Sequence, residues 1–336
     1  MPKNNKAIPK DKYLSASRIK TFETCSWIYW AKYHLHVPDS SNDGARRGTI
    51  CHLILELLLK PRHKKHYDNI KKESSIQAAA CVDRVLIKYL KQHDMFNDEN
   101  YNMCDEMLVV ALNNDYFGLD NTDVFGPDGY IEKPEQEFSI QSRKPKYKMR
   151  GFIDKAIQYK EKGIVRIVDY KSSKQKFRGE ELHSNIQAMM YSLAARKLWP
   201  KLKPVVEFLF LRFPKKPLQR LEFNKDQLSG FEVWLEQIFN IINNFTEKEA
   251  KVNYAADTYN KWLCGPAKSG WECPLKKKFE YFALKNNKGR ILRTSLEEDK
   301  LNTSKKGEKI VKMQYEGCPR FEFQNSESKV ADPFKF

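Results

Sequence analysis

From Ser15 to about His36, apolar side chains return at helical intervals: Ile19, Phe22, Trp27 and Trp30. This spacing predicts a helix with one buried face, begun by Ser15 or Ser17 as its N-cap. Pro38 and the polar run after it close the element. A second helix is expected from about Ala45 to Leu59, where the apolar run LILELLL ends before Pro61. The stretch 60–72, KPRHKKHYDNIKK, reads as a basic loop. Two more helices, at about 74–92 and 102–116, suggest a helical layer or insertion. A segment rich in Asp, Asn and Gly at 118–130 reads as a loop.

Past residue 130 the pattern shifts from helical to alternating. Strands are expected at 131–142, 146–159 and 164–171, with β-branched residues throughout. A helix at about 180–198, strands at about 205–213 and 218–223, and an amphipathic helix at about 226–248 follow. No internal repeat is visible. This order predicts an α/β fold, a mixed sheet flanked by helices, with a helical N-terminal region and insertion. The expected division is a disordered start at 1–12, a main domain at 13–250 and a basic, cysteine-containing C-terminal region at 251–336 that packs on the core.

Composition narrows the function classes. No apolar run is long enough to cross a bilayer, and the charged start MPKNNKAIPKDKYL lacks the apolar core of a secretory signal. A cytoplasmic or nuclear-type compartment is expected, without a membrane partner. Seven irregularly spaced cysteines do not form a disulfide framework. The net charge of +17, from 60 Lys and Arg against 43 Asp and Glu, favours a polyanionic partner, and nucleic acid is the commonest one. Basic residues at 60–72, Lys276 to Lys278 and Lys305-Lys306 are candidates for tracking a DNA backbone, or are simply solvated faces.

The chemistry concentrates in Gly151-Phe152-Ile153-Asp154 and Ile167-Val168-Asp169-Tyr170-Lys171. The intervening KEKG is a turn signal, so the two strands are expected to pair as a hairpin. Pairing 160 with 163 sets Asp154 opposite Asp169, with Cβ atoms about 5 Å apart on one face. Lys171, two residues further on, shares that face. Facing carboxylates repel unless a cation lies between them or one keeps its proton. Hard oxygen ligands suit Mg²⁺ or Mn²⁺, and the lysine suits a developing negative charge. A solvated surface hairpin is the plainer alternative. His52 and Glu56 stand four apart on the second helix, where an imidazole could complete a metal site. Gln187 and Tyr191 share a face on the helix after the strands, and His183 is expected to continue their stripe.

These segments, in this order, resemble the PD-(D/E)XK nuclease superfamily in its RecB-like exonuclease branch. SASRIKTFETCSWIYWAKY resembles the N-terminal helix of that branch, and GTICH its G-T-x-x-H motif. GFID and VDYKSS resemble the two metal-binding strands, and QAMMY the Q-x-x-x-Y motif. The resemblance covers about 15–60 and 135–215 and implies a restriction-endonuclease-like fold. It also implies a metal held by His52, Asp154, Asp169 and the Tyr170 carbonyl. Lys171 would be the catalytic lysine, and Gln187 and Tyr191 would support the site or touch DNA. Glu135 or Glu137 would help shape the pocket.

Some members of the branch carry an iron–sulfur cluster, with one cysteine in the first helix and three near the C-terminus as C-x2-C-x5-C. Cys25 matches the first position, but Cys264 and Cys273 stand as C-x8-C, so the pattern is incomplete. An iron–sulfur or zinc site on Cys25, Cys264 and Cys273 is one reading, with Cys318 as a fourth ligand if the tail folds back; buried thiols are the other. Cys51, Cys81 and Cys104 are expected to be apolar helix positions. The function expected is a metal-dependent DNA nuclease, acting alone or with a helicase or recombinase. The small, lysine-rich format suits a phage replication or recombination system. The alternative is a DNA-binding accessory protein that keeps the fold without cutting.

Overall fold

The computed structural model describes residues 13–39, 42–114, 130–131, 134–253, 264 and 273–321. The start expected to be disordered, and all but Tyr130 of the loop expected at 118–130, lie outside these residues. The chain gathers into two compact units, one of Tyr13–Ala16 with Ser41–Phe239 and one of Ser17–Ser40 with Asn240–Phe336.

The larger unit is built on a five-stranded mixed sheet in the order β1-β4-β5-β6-β7. Its strands are β1 (Tyr130–Ile131), β4 (Lys155–Tyr159), β5 (Ile164–Lys171), β6 (Lys203–Phe210) and β7 (Leu218–Leu221). Among the described strands of this sheet, only the β5–β6 pair is parallel. The crossover between them carries α7 (Ile186–Leu198), as a parallel pair requires. A separate antiparallel ribbon is formed by β2 (Gln136–Arg143) and β3 (Lys146–Ile153).

Strands β5 and β6 are apolar on both faces because both faces are covered. On one face, Ile157, Tyr159, Val168, Tyr170, Leu209 and Leu211 join a core built by a helical layer. That layer comprises α3 (Asp43–Leu58), α4 (Lys64–Glu73), α5 (Ala80–Gln92) and α6 (Asp98–Leu112). Asn42 caps α3 by accepting from the Ala45 amide at 2.9 Å, and Asn97 caps α6 in the same way. Helix α7 packs against β6.

On the helical face Arg166 and Glu207 are buried as a charged pair, with the half-exposed Arg220 beside them. Arg166 donates to Glu207 at 2.6 Å and Arg220 donates to its other oxygen at 2.8 Å. Burial alone would push the Glu207 carboxyl up, but the two guanidiniums outweigh it and hold it below the ordinary range.

The smaller unit contains most of α1 (Ala16–Thr24), α2 (Ser26–Tyr33), α9 (Glu247–Asn253) and a three-stranded antiparallel sheet. The sheet has the order β10-β8-β9, from β8 (Phe279–Lys285), β9 (Ile291–Ser295) and β10 (Lys309–Tyr315). Trp27 donates to the Tyr315 hydroxyl at 2.7 Å, and that hydroxyl donates to the Leu275 carbonyl at 2.9 Å. Phe22, Tyr29 and Phe245 pack edge to face.

Several expected elements are revised. The basic stretch at 60–72 is not a loop: after a 3-10 turn at Pro61–His63 it forms α4, which buries Tyr67 and Ile70 against the core. The single helix expected at 15–36 is two, broken at Cys25, whose extended backbone begins α2. The strand expected at 146–159 is also two, because the chain bends at Asp154 and passes from the ribbon into the main sheet. The helix expected at 226–248 is α8 (Lys225–Asn244), followed by the separate α9. The three-stranded sheet after residue 273 was not foreseen. Among the described residues, no helix is long and apolar enough to cross a membrane.

Candidate active site

The β4–β5 hairpin has the register that the turn signal predicted. Lys155 pairs with Val168 and Tyr159 with Ile164, so Asp154 lies one step beyond the ladder, at the level of Asp169. The bend at Asp154 frees its carboxylate from strand geometry. Its Oδ2 accepts from the Tyr170 amide at 2.9 Å and lies 3.4 Å from His52 Nδ1. On the other side of the imidazole, Nε2 is 2.9 Å from the Tyr170 carbonyl.

With an acceptor at each ring nitrogen, the protonated ring is favoured. Burial pulls the His52 pKa down, yet the Asp154 carboxylate outweighs it and leaves the pKa raised. To bind a metal, His52 has to release one of these protons.

Asp169 sits on the opposite face of β5 from Tyr170 and is almost fully buried. Its Oδ1 accepts from Gln187 at 2.7 Å and lies 2.8 Å from the Tyr191 hydroxyl. Its Oδ2 is 2.5 Å from Lys171 Nζ but lacks a hydrogen bond of good geometry. Burial pushes the Asp169 carboxyl up; Lys171 opposes this, and Asp154 adds to it by repulsion.

Gln187 bridges the acid and the base. Its amide NH₂ donates to Asp169, and its carbonyl accepts from Lys171 Nζ at 2.7 Å. Tyr191 lies one turn further along α7 and is also 2.9 Å from the Phe152 carbonyl, which ties the end of β3 to the site. His183 does not share this stripe: it follows a 3-10 turn ahead of α7 and is exposed.

His52, Glu56, Glu135, Asp154 and Tyr170 line one small cleft. Glu135 holds a left-handed backbone with φ of 51°, a strained state for a residue with a Cβ. Burial raises its carboxyl pKa, and Glu56 and Asp154 add to the effect. Glu137 is paired with Phe152 in the ribbon and is not among the residues lining the cleft.

The donor set fits a hard divalent cation, with carboxylate oxygens, an imidazole and a carbonyl at one strand end. The buried Asp169 oxygen without a hydrogen bond is the group such an ion would satisfy. Among the described residues, no group of three or more His, Cys, Asp or Glu side chains is preassembled for a metal. Lys171 takes the Asp169 oxygen instead.

In the smaller unit, Cys318 has Cys25, Cys273 and Cys264 as electrostatic neighbours, and burial with their repulsion pushes its thiol up to about 12. None of the seven cysteines, all of them among the described residues, forms a disulfide. Cys51 and Cys104 are buried together in the helical layer of the larger unit, as expected, whereas Cys81 is half-buried with its sulfur 3.3 Å from His66 Nε2.

A mixed sheet between helices, with an aspartate and a lysine at the end of a central strand and a second aspartate just before the start of its neighbour, has the layout of restriction-endonuclease-like proteins. The model of the PD-(D/E)XK nuclease superfamily matches residues 13–276, and the chain belongs to that superfamily. Nucleases of this kind generally use divalent metals such as Mg²⁺ or Mn²⁺. Comparison with curated proteins gave no match.

Proposed function

We propose that this nuclease is a Mg²⁺- or Mn²⁺-dependent deoxyribonuclease of the RecB-like type, acting as an exonuclease in DNA replication, recombination or repair. The observation that carries the reading is the convergence of Asp154, Asp169 and Lys171 on the β4–β5 hairpin, with Asp169 and Lys171 held from α7 by Gln187 and Tyr191. The net charge of +17 suits a DNA substrate.

His52, Asp154, Asp169 and the Tyr170 carbonyl would hold the cation. A divalent ion bound there supplies charge neutralisation at the phosphate and a water acidic enough to act as nucleophile. Lys171 would leave Asp169 for a phosphate oxygen and stabilise the charge that develops on it. Gln187 limits the lysine to a short swing, because its carbonyl keeps hold of the ammonium. Tyr191 keeps Asp169 from rotating away.

Cys25, Cys264, Cys273 and Cys318 would form a thiolate site for zinc or an iron–sulfur cluster, supported by the electrostatic influence of the other three on Cys318, although among the described residues they are not preassembled around a metal. Metal analysis and the visible absorption of anaerobically purified protein test this separately. A helicase or recombinase partner and a phage setting in the host cytoplasm belong to the same proposal.

The test is cleavage of end-labelled linear and circular DNA, single- and double-stranded, with Mg²⁺, Mn²⁺ or EDTA. Metal-dependent loss of linear but not circular DNA, abolished by Asp169→Ala and Lys171→Ala, is expected. Equal cutting of circles would make the enzyme an endonuclease. Binding without cutting in either metal would leave a DNA-binding accessory protein.

A further inference from the structure

Beside the catalytic residues, within the same unit, lies a cavity of about 560 Å³. Its place in the fold ties it to the site. Ser172, on its wall, follows Lys171 directly, and the Leu211 amide donates to the Lys171 carbonyl at 2.9 Å. Gly48 of α3 is pressed against Ser172: a Cβ there would come within 2.4 Å of the Ser172 hydroxyl. One turn along the same helix, about 6 Å away, stands His52. The cavity wall at Ser172 therefore abuts α3 one helical turn from His52.

The lining is amphipathic. Arg47 and Arg212 both face the cavity, and among the described residues neither has a carboxylate partner. Arg47 is held in place by a hydrogen bond to Asn100. Met107, Val110, Leu211 and Pro214 add an apolar part to the lining. Two acidic residues also line the space. Asp105 is occupied, accepting from the Ile76 amide at 2.7 Å and from the Ser75 hydroxyl at 3.2 Å. Glu106 is exposed and can accept from a base amino group. Guanidiniums without a carboxylate partner, beside apolar side chains, suit a phosphate and a base together. A cleft of about 560 Å³ is the size of sites for small organic ligands: it admits an unstacked nucleotide and is too small for a paired duplex.

We propose that this cavity is the subsite for an unpaired nucleotide next to the scissile phosphate, with Arg212 and Arg47 on its phosphate and the apolar part of the lining against its base. The protein thus engages single strands and frayed ends in preference to intact duplex. Position beside the scissile phosphate rests on the nuclease reading above; selection of an unpaired nucleotide does not.

The test is fluorescence anisotropy with a labelled single-stranded oligonucleotide and a blunt duplex of equal length, both in Ca²⁺ to separate binding from cutting. The wild type should bind the single strand at least about tenfold more tightly. Arg212→Ala should weaken single-strand binding about tenfold, the scale of a lost charged hydrogen bond, and leave duplex binding nearly unchanged. Arg84→Ala removes an exposed arginine of α5 outside the cavity and should do neither. Circular-dichroism melts confirm that each variant is folded. Equal weakening by both substitutions, or equal loss for duplex and single strand, overturns the proposal. Arg212-dependent single-strand binding without any cleavage keeps the subsite and removes the nuclease reading. Cleavage with an unchanged KM in Arg212→Ala removes the subsite and keeps the nuclease.

Discussion

Tyr191 places its hydroxyl 2.8 Å from Asp169 Oδ1, and both side chains are buried between α7 and β5. The same hydroxyl is 2.9 Å from the Phe152 carbonyl and accepts from Gln187 at 2.8 Å. One oxygen thereby joins α7 to both strands that flank the candidate site. Burial and the neighbouring Asp169 push the tyrosine pKa well up, so it stays a neutral donor. Tyr191→Phe keeps the ring and removes this junction. The expected outcome is a kcat about tenfold lower and a stability loss of about 1–2 kcal/mol. Steady-state cleavage and urea unfolding of the one variant check both.

Lys171 and Gln187 are separable. Lys171→Ala removes the charge that faces the phosphate, so kcat should fall about a hundredfold or more. Gln187→Ala leaves the ammonium in place without its 2.7 Å restraint and should cost less. Equal losses in the two variants would show that the amide does more than position the lysine. Single-turnover cleavage at saturating DNA distinguishes these outcomes.

Gly151 faces Phe138 across the β2–β3 ribbon, and a Cβ at Gly151 would lie 2.7 Å from the Phe138 ring. That ring is buried and stands edge-on to Tyr191, with centroids 6.2 Å apart. Gly151→Ala therefore overpacks a site that cannot yield freely and should cost about 1–3 kcal/mol. Phe138→Leu in the same chain should return part of the loss. A double-mutant cycle of unfolding free energies reads the coupling directly.

Glu207 stands between Arg166, which is almost fully buried, and Arg220, which is half exposed. Glu207→Ala removes the carboxylate that accepts from the buried Arg166 and should destabilise the fold by about 3 kcal/mol, with Arg220 adding little because water screens it. The folded-state pKa of Glu207 lies below its unfolded value. Its contribution is thus fully present above the unfolded pKa and fades as pH falls through the folded one. Urea midpoints from pH 7 to pH 3 should decline less steeply for Glu207→Gln than for the wild type.

The sequence alone determined much of the candidate centre, because the information was local. Alternation over 164–171 and the KEKG turn were enough to predict the hairpin register that aligns Asp154 with Asp169. The four-residue spacing of Gln187 and Tyr191 placed both on one face of α7. Local pattern could not say that 146–159 breaks at Asp154, since each half alternates well and only membership of two sheets separates them. Nor could it say that 60–72 is helical: its polar, basic character masked the two side chains, Tyr67 and Ile70, that fix α4 to the core. The cysteines around Cys318 and the arginines of the cavity are far apart in sequence, and no spacing rule links them. Only the burial of apolar faces, which forces distant segments into one packed arrangement, decided which of these side chains meet.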